Sequence, residues 1–345
     1  MLISGPASLR LEKGSAEIFG APLQLNQRLM IKSERQLPVE VLSDAVLEAE
    51  VGERASYLEV DGSTVPDSWY LAAKAIQKPE ANKVLVIGST DTGKSTLCTF
   101  LANHQLRSGR RVAVIDADIG QSDLGPPGSL GLSIIDKPLI ELEDSRVDAM
   151  VFIGETSPSS VMDRVIHGIL RLESRVPMST PTVINTDGWV EDDEAAAFKV
   201  MMIRKLKPNS VLGLAEGAEL KQIFEKTSIP VVRIQAPKFI KVRSREERKC
   251  LREYGYMRHL RNAIHRNFSL EQIKAERLRT TRYKGGDILG FLDEEGFLIG
   301  IGILDYLNRT KRLLRAYTNV TPRGVAEIAV GNIRLSHQGL ELGWS

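Results

Sequence analysis

Residues 84–97 read VLVIGSTDTGKSTL, and this stretch decides the fold. The apolar run 84–87 predicts a buried strand that ends at Gly88. A loop of the form G-x-x-x-x-G-K-S follows at once, and residues 95–101 continue with a helical pattern. Strand, glycine-containing loop and helix in this order are the setting of a phosphate-binding P-loop. The sequence therefore predicts that this chain binds a nucleotide.

Each residue type in the loop has a chemical role. Glycine lets backbone N–H groups curl around an anion without a clash at Cβ, and the N-terminus of the following helix adds roughly half a positive charge. Lys94 is long enough to reach the β- and γ-phosphates, and the Ser95 hydroxyl is a ligand type that Mg²⁺ accepts. The residues expected to bind the nucleotide are Gly88, Ser89, Thr90, Asp91, Thr92, Gly93, Lys94, Ser95 and Thr96.

Apolar runs of strand length recur along the chain, with helical stretches such as 160–175 and 193–206 between them. The runs are residues 84–87, 111–115, 149–153, 181–185, 210–214 and 231–234. This alternation predicts an α/β fold, a P-loop NTPase domain with a mostly parallel sheet and crossover helices. A long charged helix is expected over residues 244–267.

The two ends of the chain have a different pattern. Residues 1–64 and 285–345 contain short β-like runs separated by glycine-containing turns, which predicts two small β-rich domains flanking the central one. A helix that begins near residues 66–67 is expected to lead into the P-loop strand. We therefore predict domains over residues 1–78, 79–267 and 268–345.

The second strand of the central series ends in two acids, Asp116 and Asp118. Because the carboxyl ends of parallel strands meet at one edge of the sheet, both acids should lie beside the phosphates. One carboxylate can belong to the Mg²⁺ shell while the other accepts the proton of an attacking hydroxyl. The spacing does not decide which acid has which role.

A later strand bears on nucleotide choice. It ends in Asn185-Thr186-Asp187-Gly188-Trp189, whereas GTPases usually read guanine with an Asn-Lys-x-Asp loop at the end of such a strand. Since the lysine is missing from this segment, strict use of GTP is disfavoured.

Five motifs follow one another in order along the chain. They are the P-loop, Asp116-x-Asp118-x-Gly120-Gln121, Gly154-Glu155-Thr156-Ser157-Pro158, Asn185-Thr186-Asp187-Gly188-Trp189-Val190 and an arginine-rich helix. The set resembles the polynucleotide 5′-hydroxyl-kinase family, which includes compact archaeal RNA kinases and relatives in eukaryotic RNA-processing machinery. The resemblance covers roughly residues 80–265 and implies transfer of the γ-phosphoryl group of ATP to the 5′-hydroxyl of RNA, with DNA left open.

The resemblance also implies roles for individual residues. Lys94 and Ser95 would hold the triphosphate and Mg²⁺. Asp118 would be the general base and Asp116 an acid of the metal shell, or the reverse. Gln121 and the family's clasp would contact the RNA 5′ end. The clasp residues are Thr156, Ser157 and Pro158, and many relatives have threonine in place of the serine.

Two further elements of the family concern aromatic and basic side chains. Trp189 matches the aromatic on which a terminal base stacks, a contact worth roughly 1–3 kcal/mol; a core tryptophan is the alternative. Arg248 and Arg252 match the Arg-x-x-x-Arg lid over the phosphates, and at this spacing they share one helix face. Arg243 and Arg245 leave the register of the lid open.

Composition sets the remaining limits. The chain of 345 residues is 42% apolar and 26% charged, with a net charge of +2. Residues 238–266 carry ten Lys and Arg against three Glu, a positive field that suits a polyanion, although a solvated helix of mixed charge is the alternative. No run approaches the roughly 18 apolar residues of a membrane span, and the N-terminus lacks the pattern of a secretory signal. We expect a cytoplasmic protein that uses ATP and Mg²⁺ and has no membrane partner, and leave its oligomeric state open.

Two other functions are compatible with a P-loop. One is an ATPase switch whose hydrolysis moves a partner, and the other is an RNA-processing scaffold that keeps ATP as a structural ligand. Intact Lys94, Ser95 and Asp118 argue against the scaffold. Trp189 and the basic helix argue against a pure switch.

Overall fold

The computed structural model describes residues 1–33, 35–76, 83–215, 218–240, 242–275 and 283–344. The N-terminal strands are β1 (Leu2–Ser4), β2 (Ala7–Lys13), β3 (Ala16–Ile18), β4 (Ala21–Pro22), β5 (Arg28–Ile31), β6 (Gln36–Pro38), β7 (Glu40–Val41), β8 (Val46–Val51) and β9 (Ser56–Leu58). They form three small sheets with the orders β6-β1-β9, β5-β2-β8 and β4-β3-β7. All the pairings are antiparallel, which confirms the β-rich N-terminal region.

Helix α1 (Asp67–Ile76) joins this region to the centre of the molecule. It begins directly after Pro66, as the sequence predicts, because proline suits the start of a helix. The side chain of Trp69 is fully buried, its indole N–H donates to the Gln235 carbonyl over 2.9 Å, and its ring meets Phe100 at 5.5 Å between centroids. These contacts fasten α1 to the helix that follows the P-loop.

The central region is a seven-stranded sheet covered by helices. Its elements are β10 (Lys83–Gly88), α2 (Lys94–Arg107), β11 (Val112–Ala117), β12 (Ser129–Ile135), β13 (Ala149–Phe152), α3 (Met162–Glu173), β14 (Thr182–Thr186), α4 (Asp193–Leu206), β15 (Ser210–Leu214), α5 (Lys221–Glu225) and β16 (Val231–Ile234), with a 3₁₀ turn at Leu142–Asp144. The strand order is β13-β12-β11-β14-β10-β15-β16. The five neighbouring strands β11, β14, β10, β15 and β16 are parallel to one another. This confirms the predicted mostly parallel sheet.

Strand β12 was not predicted. It runs antiparallel to both β11 and β13, and it contains Gly131 in a position where a Cβ would lie 2.3 Å from the Leu124 carbonyl oxygen. Packing therefore requires glycine here, although glycine weakens the sequence signal of a strand.

Alternate residues of the P-loop strand enter two different cores. Val84 and Val86 pack with α1, α2 and the N-terminal strands, whereas Leu85 and Ile87 pack with α3 and α4. This alternation follows from the period of two along a strand. The N-terminal strands thus share a core with the helix that begins at the P-loop.

Helix α6 (Arg245–His259) starts with a capping box made by Ser244 and Glu247. The predicted helix over residues 244–267 is wrong beyond residue 259, because the chain reverses near Asn262, where φ is +62°. Residues 264–269 form a strand instead, since their pairing in the C-terminal sheet buries Phe268. Lys241, one of the basic residues before this helix, lies outside the described residues.

The C-terminal region is one antiparallel sheet of six strands, ordered β17-β20-β19-β18-β21-β22. The strands are β17 (Ile264–Ser269), β18 (Asp287–Leu292), β19 (Leu298–Asn308), β20 (Leu313–Thr318), β21 (Glu327–Leu335) and β22 (Glu341–Trp344). Strand β17 crosses the predicted boundary at residue 267, and the boundary at residue 78 lies outside the described residues, so the three-domain division stays a prediction. None of the described helices is long and apolar enough to cross a membrane.

Candidate active site

The P-loop joins the end of β10 to the start of α2. At Gly88 a Cβ would lie 2.5 Å from the Leu214 carbonyl oxygen, and Gly93 has a φ of +90°, so both positions require glycine. Within the described residues no side chain caps the first turn of α2. Its free backbone N–H groups therefore remain available to an anion.

Lys94 is folded back onto its own loop. Its ammonium group donates to the Ser89 carbonyl over 2.7 Å, and only 7% of the residue is exposed. Burial lowers the pKa of Lys94, and the nearby Asp118 carboxyl opposes that shift. The cation is thus held at the phosphate-binding loop by the Ser89 carbonyl, in the field of the Asp118 carboxylate.

Asp116 lies at the buried end of β11. Its carboxylate accepts from the Asp123 backbone N–H at 2.6 Å and from the Asn185 amide at 2.9 Å. Burial, followed by repulsion from Asp123 and Asp118, raises the pKa of Asp116 to about 7. A bound cation would relieve this crowding of negative charge.

Asp118 lies at the mouth of the same edge. It accepts from the backbone N–H groups of Gly120 at 3.0 Å and Gln121 at 2.9 Å. Burial raises its pKa, with Asp187 adding repulsion and Lys94 opposing the shift. An acid with a raised pKa at the P-loop, near Lys94, suits a general base.

A third acid, Asp123, was missed by the sequence analysis. Burial raises the pKa of its carboxyl, and Arg35 from the N-terminal region and the neighbouring Ser95 hydroxyl oppose that shift. The only available signal was an additional aspartate five residues after Asp118.

The oxygen groups around Ser95 fit a magnesium ion. They are the Ser95 hydroxyl and the carboxylates of Asp116 and Asp123. The Asn185 amide nitrogen lies between two of them, because it donates to the Ser95 hydroxyl over 3.3 Å and to the Asp116 carboxylate over 2.9 Å. An all-oxygen donor set is what this hard cation prefers. The predicted metal residues Ser95 and Asp116 are therefore brought together.

The two predicted lid arginines have different partners. Arg248 donates to Asp91 of the P-loop at 2.9 Å, and Arg243 donates to the same carboxylate through its backbone N–H (2.9 Å) and its guanidinium (3.2 Å). Arg252 instead forms a bidentate pair with Glu341 of β22, at 2.6 and 2.9 Å. The structure thus brings Arg248 to the P-loop and ties Arg252 to the C-terminal sheet.

Gln121 and the predicted clasp are connected to α6 on one side and to β21 on the other. The Gln121 amide donates to the Arg248 carbonyl over 3.1 Å, and a Cβ on Gly120 would lie 2.9 Å from the Thr156 carbonyl oxygen. Ser157 is exposed and Pro158 is buried. The segment is fastened from the other side, because Asn332 of β21 donates its backbone N–H to Gly154 over 2.9 Å and its amide to Glu155.

Trp189 is half-buried in the segment that follows β14, next to the P-loop. A Cβ on Gly188 would lie 2.4 Å from the Thr90 hydroxyl oxygen, so the segment before the indole touches the P-loop directly. The indole N–H donates to Asp192 over 2.8 Å, and its ring centroid lies 6.1 Å from that of Phe198. One part of the ring is packed and another remains accessible.

A cleft of about 250 Å³ opens over the P-loop. Lys94, Ser95, Asp118 and Gln121 line it together with residues of α6 and of the segment before it. The N-terminal region contributes residues for which sequence patterns offered no signal. These are Leu2, Phe19, Arg35, Gln36, Pro38, Thr64 and Val65.

Comparison with known proteins places the chain in a family. Residues 88–262, which include the P-loop, both acids and α6, match the family model described as mRNA cleavage and polyadenylation factor CLP1 P-loop. That range is more than half of the 345 residues. The chain belongs to the CLP1 P-loop family. The family predicted from the motifs is thereby confirmed.

Relatives of this CLP1-family chain occur in archaea and animals. A protein of Pyrococcus abyssi named polyribonucleotide 5′-hydroxyl-kinase is 28% identical, and the similarity covers 81% of this chain and 95% of the relative. A protein of the same name from Methanocaldococcus jannaschii is 26% identical, with 81% and 94% covered. A bovine protein named polyribonucleotide 5′-hydroxyl-kinase Clp1 is 28% identical over 58% of this chain and 53% of its own length.

The fold is also shared with solved structures. A chain in the structure of the wild-type Clp1p–Pcf11p complex matches with a TM-score of 0.71 and covers 97% of both chains, at 13% sequence identity. This likeness supports the arrangement of the three regions around the P-loop.

Proposed function

We propose that this CLP1-family protein is a polynucleotide 5′-hydroxyl kinase that transfers the γ-phosphoryl group of ATP to the 5′-hydroxyl of RNA. The observation that carries the proposal is the placement of Asp118 beside Lys94 at the mouth of the P-loop, with Asp116 buried behind them. The names of archaeal relatives that align along nearly their whole length point to the same activity.

The reaction is an in-line transfer. The RNA 5′-oxygen forms a bond to the γ-phosphorus while the bond from that phosphorus to the β,γ-bridging oxygen breaks, and ADP leaves. Asp118 takes the proton of the 5′-hydroxyl, and Lys94 neutralises charge on the phosphoryl oxygens. Ser95, Asp116 and Asp123 would hold Mg²⁺, which when bound reduces the negative charge of the triphosphate.

We propose that the clasp (residues 156–158), Gln121 and Trp189 contact the RNA. The exposed Ser157 and the accessible part of the indole lie on segments that touch the loops of the site. A stacking surface holds any terminal base, since every base has a π-face.

The test is a transfer assay with γ-labelled ATP and an RNA oligonucleotide that ends in a 5′-hydroxyl. We expect label on that RNA and none on the same oligonucleotide with a 5′-phosphate; a matching DNA oligonucleotide reports the sugar preference. Release of free phosphate without labelled RNA would contradict the proposal in favour of an ATPase switch. Bound ATP with neither product would instead favour a scaffold.

A further inference from the structure

Two histidines and an aspartate meet on the C-terminal sheet, outside the proposed active site. The His265 Nδ1 atom of β17 lies 2.6 Å from Asp305 Oδ2 of β19. The His337 Nε2 atom, in the turn between β21 and β22, lies 2.9 Å from Asp305 Oδ1. One ligand atom from each residue lies within 4.8 Å of the other two. None of the three lines the cleft over the P-loop.

The backbone aims the aspartate into this cluster. Strand β19 pairs regularly with β20 except between Leu304 and Tyr306, where the register shifts at Asp305. Such a bulge redirects a side chain that would otherwise follow the alternation of the strand. The carboxylate thereby reaches both imidazoles, although β17 and β19 are separated by β20.

Aromatic packing and a tight turn hold the two imidazoles. The Tyr317 ring centroid lies 5.4 Å from that of His265 and 4.8 Å from that of His337. The turn that carries His337 is closed by a backbone bond from Ser336 to the Leu340 carbonyl at 2.9 Å. Both histidines are therefore positioned by the fold, while their side chains remain 43% and 47% exposed to ions in solution.

The donor set selects a class of ion. Two imidazole nitrogens and one carboxylate oxygen suit Zn²⁺ and other first-row divalent metals, whereas Mg²⁺ prefers oxygen alone. Zinc ligand bonds of about 2.0–2.2 Å place tetrahedral ligand atoms about 3.3 Å apart. The three ligand atoms lie within 4.8 Å of one another, and the two nitrogen–oxygen distances of 2.6 and 2.9 Å are already shorter than that spacing. We propose that His265, Asp305 and His337 form a binding site for a divalent transition metal, separate from the magnesium site at the P-loop.

One neighbouring charge makes the proposal more specific. Arg315 Nε lies 3.7 Å from Asp305 Oδ2, so its guanidinium would repel an ion held by that carboxylate. The site should therefore bind more tightly when this cation is removed, by about twofold to fivefold for a partly exposed pair.

The experiment is a calorimetric titration of tag-free, metal-free full-length protein with Zn²⁺. We expect the wild-type protein to bind one more equivalent than a His265→Gln/His337→Gln variant, and we expect His337→Gln alone to weaken that equivalent at least about tenfold. His167→Gln is the matched control, because His167 is an exposed histidine of α3 outside the cluster. Circular dichroism checks that each variant is folded.

Substituting Co²⁺ for Zn²⁺ should give visible absorption bands in the wild-type protein that are lost in His337→Gln. Arg315→Gln should tighten Zn²⁺ binding. Equal stoichiometry in the wild-type protein and the double variant would overturn the proposal. Visible Co²⁺ bands that persist in His337→Gln would place the ion elsewhere and overturn it as well.

Discussion

The floor and the roof of the cleft are built differently. The floor consists of the P-loop and the strand ends behind it, where Asp116 is fully buried and accepts hydrogen bonds from backbone and amide groups. The roof is α6, where Arg248 pairs with Asp91 and Arg252, which lines the cleft, pairs with Glu341, while 30% and 21% of the two arginine side chains are exposed. The carboxylates of the floor are held by buried hydrogen bonds, and the arginine side chains of the roof by partly exposed ion pairs.

The difference means that the acids of the floor are already placed for substrate, whereas the arginines of the roof must change partners when substrate binds. The acids of the floor lie close together, which disfavours their ionised form. Burial and the neighbouring carboxylates accordingly raise the pKa of Asp116 to about 7. On the roof, a triphosphate would compete with Asp91 for Arg248. The helix itself is anchored, because Tyr256 and Leu260 are buried in a cluster with residues of the C-terminal sheet. We therefore expect arginine side chains to change partners while α6 keeps its place.

The largest effect should come from the lysine of the floor. Lys94→Ala is expected to reduce phosphoryl transfer by at least about 10³-fold, because it removes the cation placed at the phosphates. The melting temperature should change little, since a desolvated charge is removed rather than a core side chain. Turnover and thermal unfolding test this, with Lys205→Ala on the exposed surface of α4 as control. Unchanged turnover in folded Lys94→Ala protein would rule out the mechanism proposed above.

The two acids of the floor should differ from each other. Asp118→Asn keeps the shape but does not accept the proton, so turnover should fall about 10²–10⁴-fold while ATP binding is largely kept. Asp116→Asn should instead raise the Mg²⁺ concentration needed for activity, because this acid lies with Ser95 and Asn185. If Asp116→Asn lowers turnover at saturating Mg²⁺ and Asp118→Asn changes the Mg²⁺ requirement, the two roles are reversed.

The roof should give smaller and divided effects. Arg248→Ala is expected to lower turnover about 10- to 100-fold, because Arg248 is the predicted lid arginine that lies at the P-loop. Arg252→Ala should mainly lower the free energy of unfolding, by about 1–3 kcal/mol, since it leaves Glu341 without its bidentate partner. Arg245→Ala, exposed at the start of α6, is the control for loss of charge alone.

A double-mutant cycle tests whether Arg252 acts on stability and Arg248 on turnover. Combining Arg252→Ala with Glu341→Gln should cost little more stability than either change alone, because one pair is removed in both cases. A loss of turnover in Arg252→Ala as large as that in Arg248→Ala, with stability intact, would assign Arg252 to the phosphates after all.

The smallest effect is expected beside the floor, at Trp189. Trp189→Ala should raise the RNA KM about tenfold through loss of roughly 1–3 kcal/mol of stacking, and Trp189→Phe should recover part of it. ATP affinity should be unchanged. A collapse of the melting temperature would instead identify Trp189 as a core residue, held in place by its contacts with Asp192 and Phe198.

Much of the fold was predictable because its signals are local. The strands β15 and β16 and the helix α4 lie where hydrophobic periodicity predicts them. The P-loop is recognisable in the sequence because its backbone requires glycine at fixed positions. Local pattern failed at β12 and at the end of α6. At the end of α6, pairing of β17 with β20 outweighs the preference of the segment itself. At β12, the glycine that packing requires at position 131 weakens the signal of a strand.

The sequence by itself determined the phosphate-binding loop, the two acids after the second strand and the family, because these depend on residue types at short spacing. Only the tertiary structure decided which carboxylate each arginine meets, since Asp91 and Arg248 are 157 residues apart and Arg252 and Glu341 are 89 apart. It likewise decided that Asp123 lies beside Ser95 and that His265, Asp305 and His337 meet. Such contacts depend on how separate elements pack, and no pattern along the chain records the distance between residues that folding brings together.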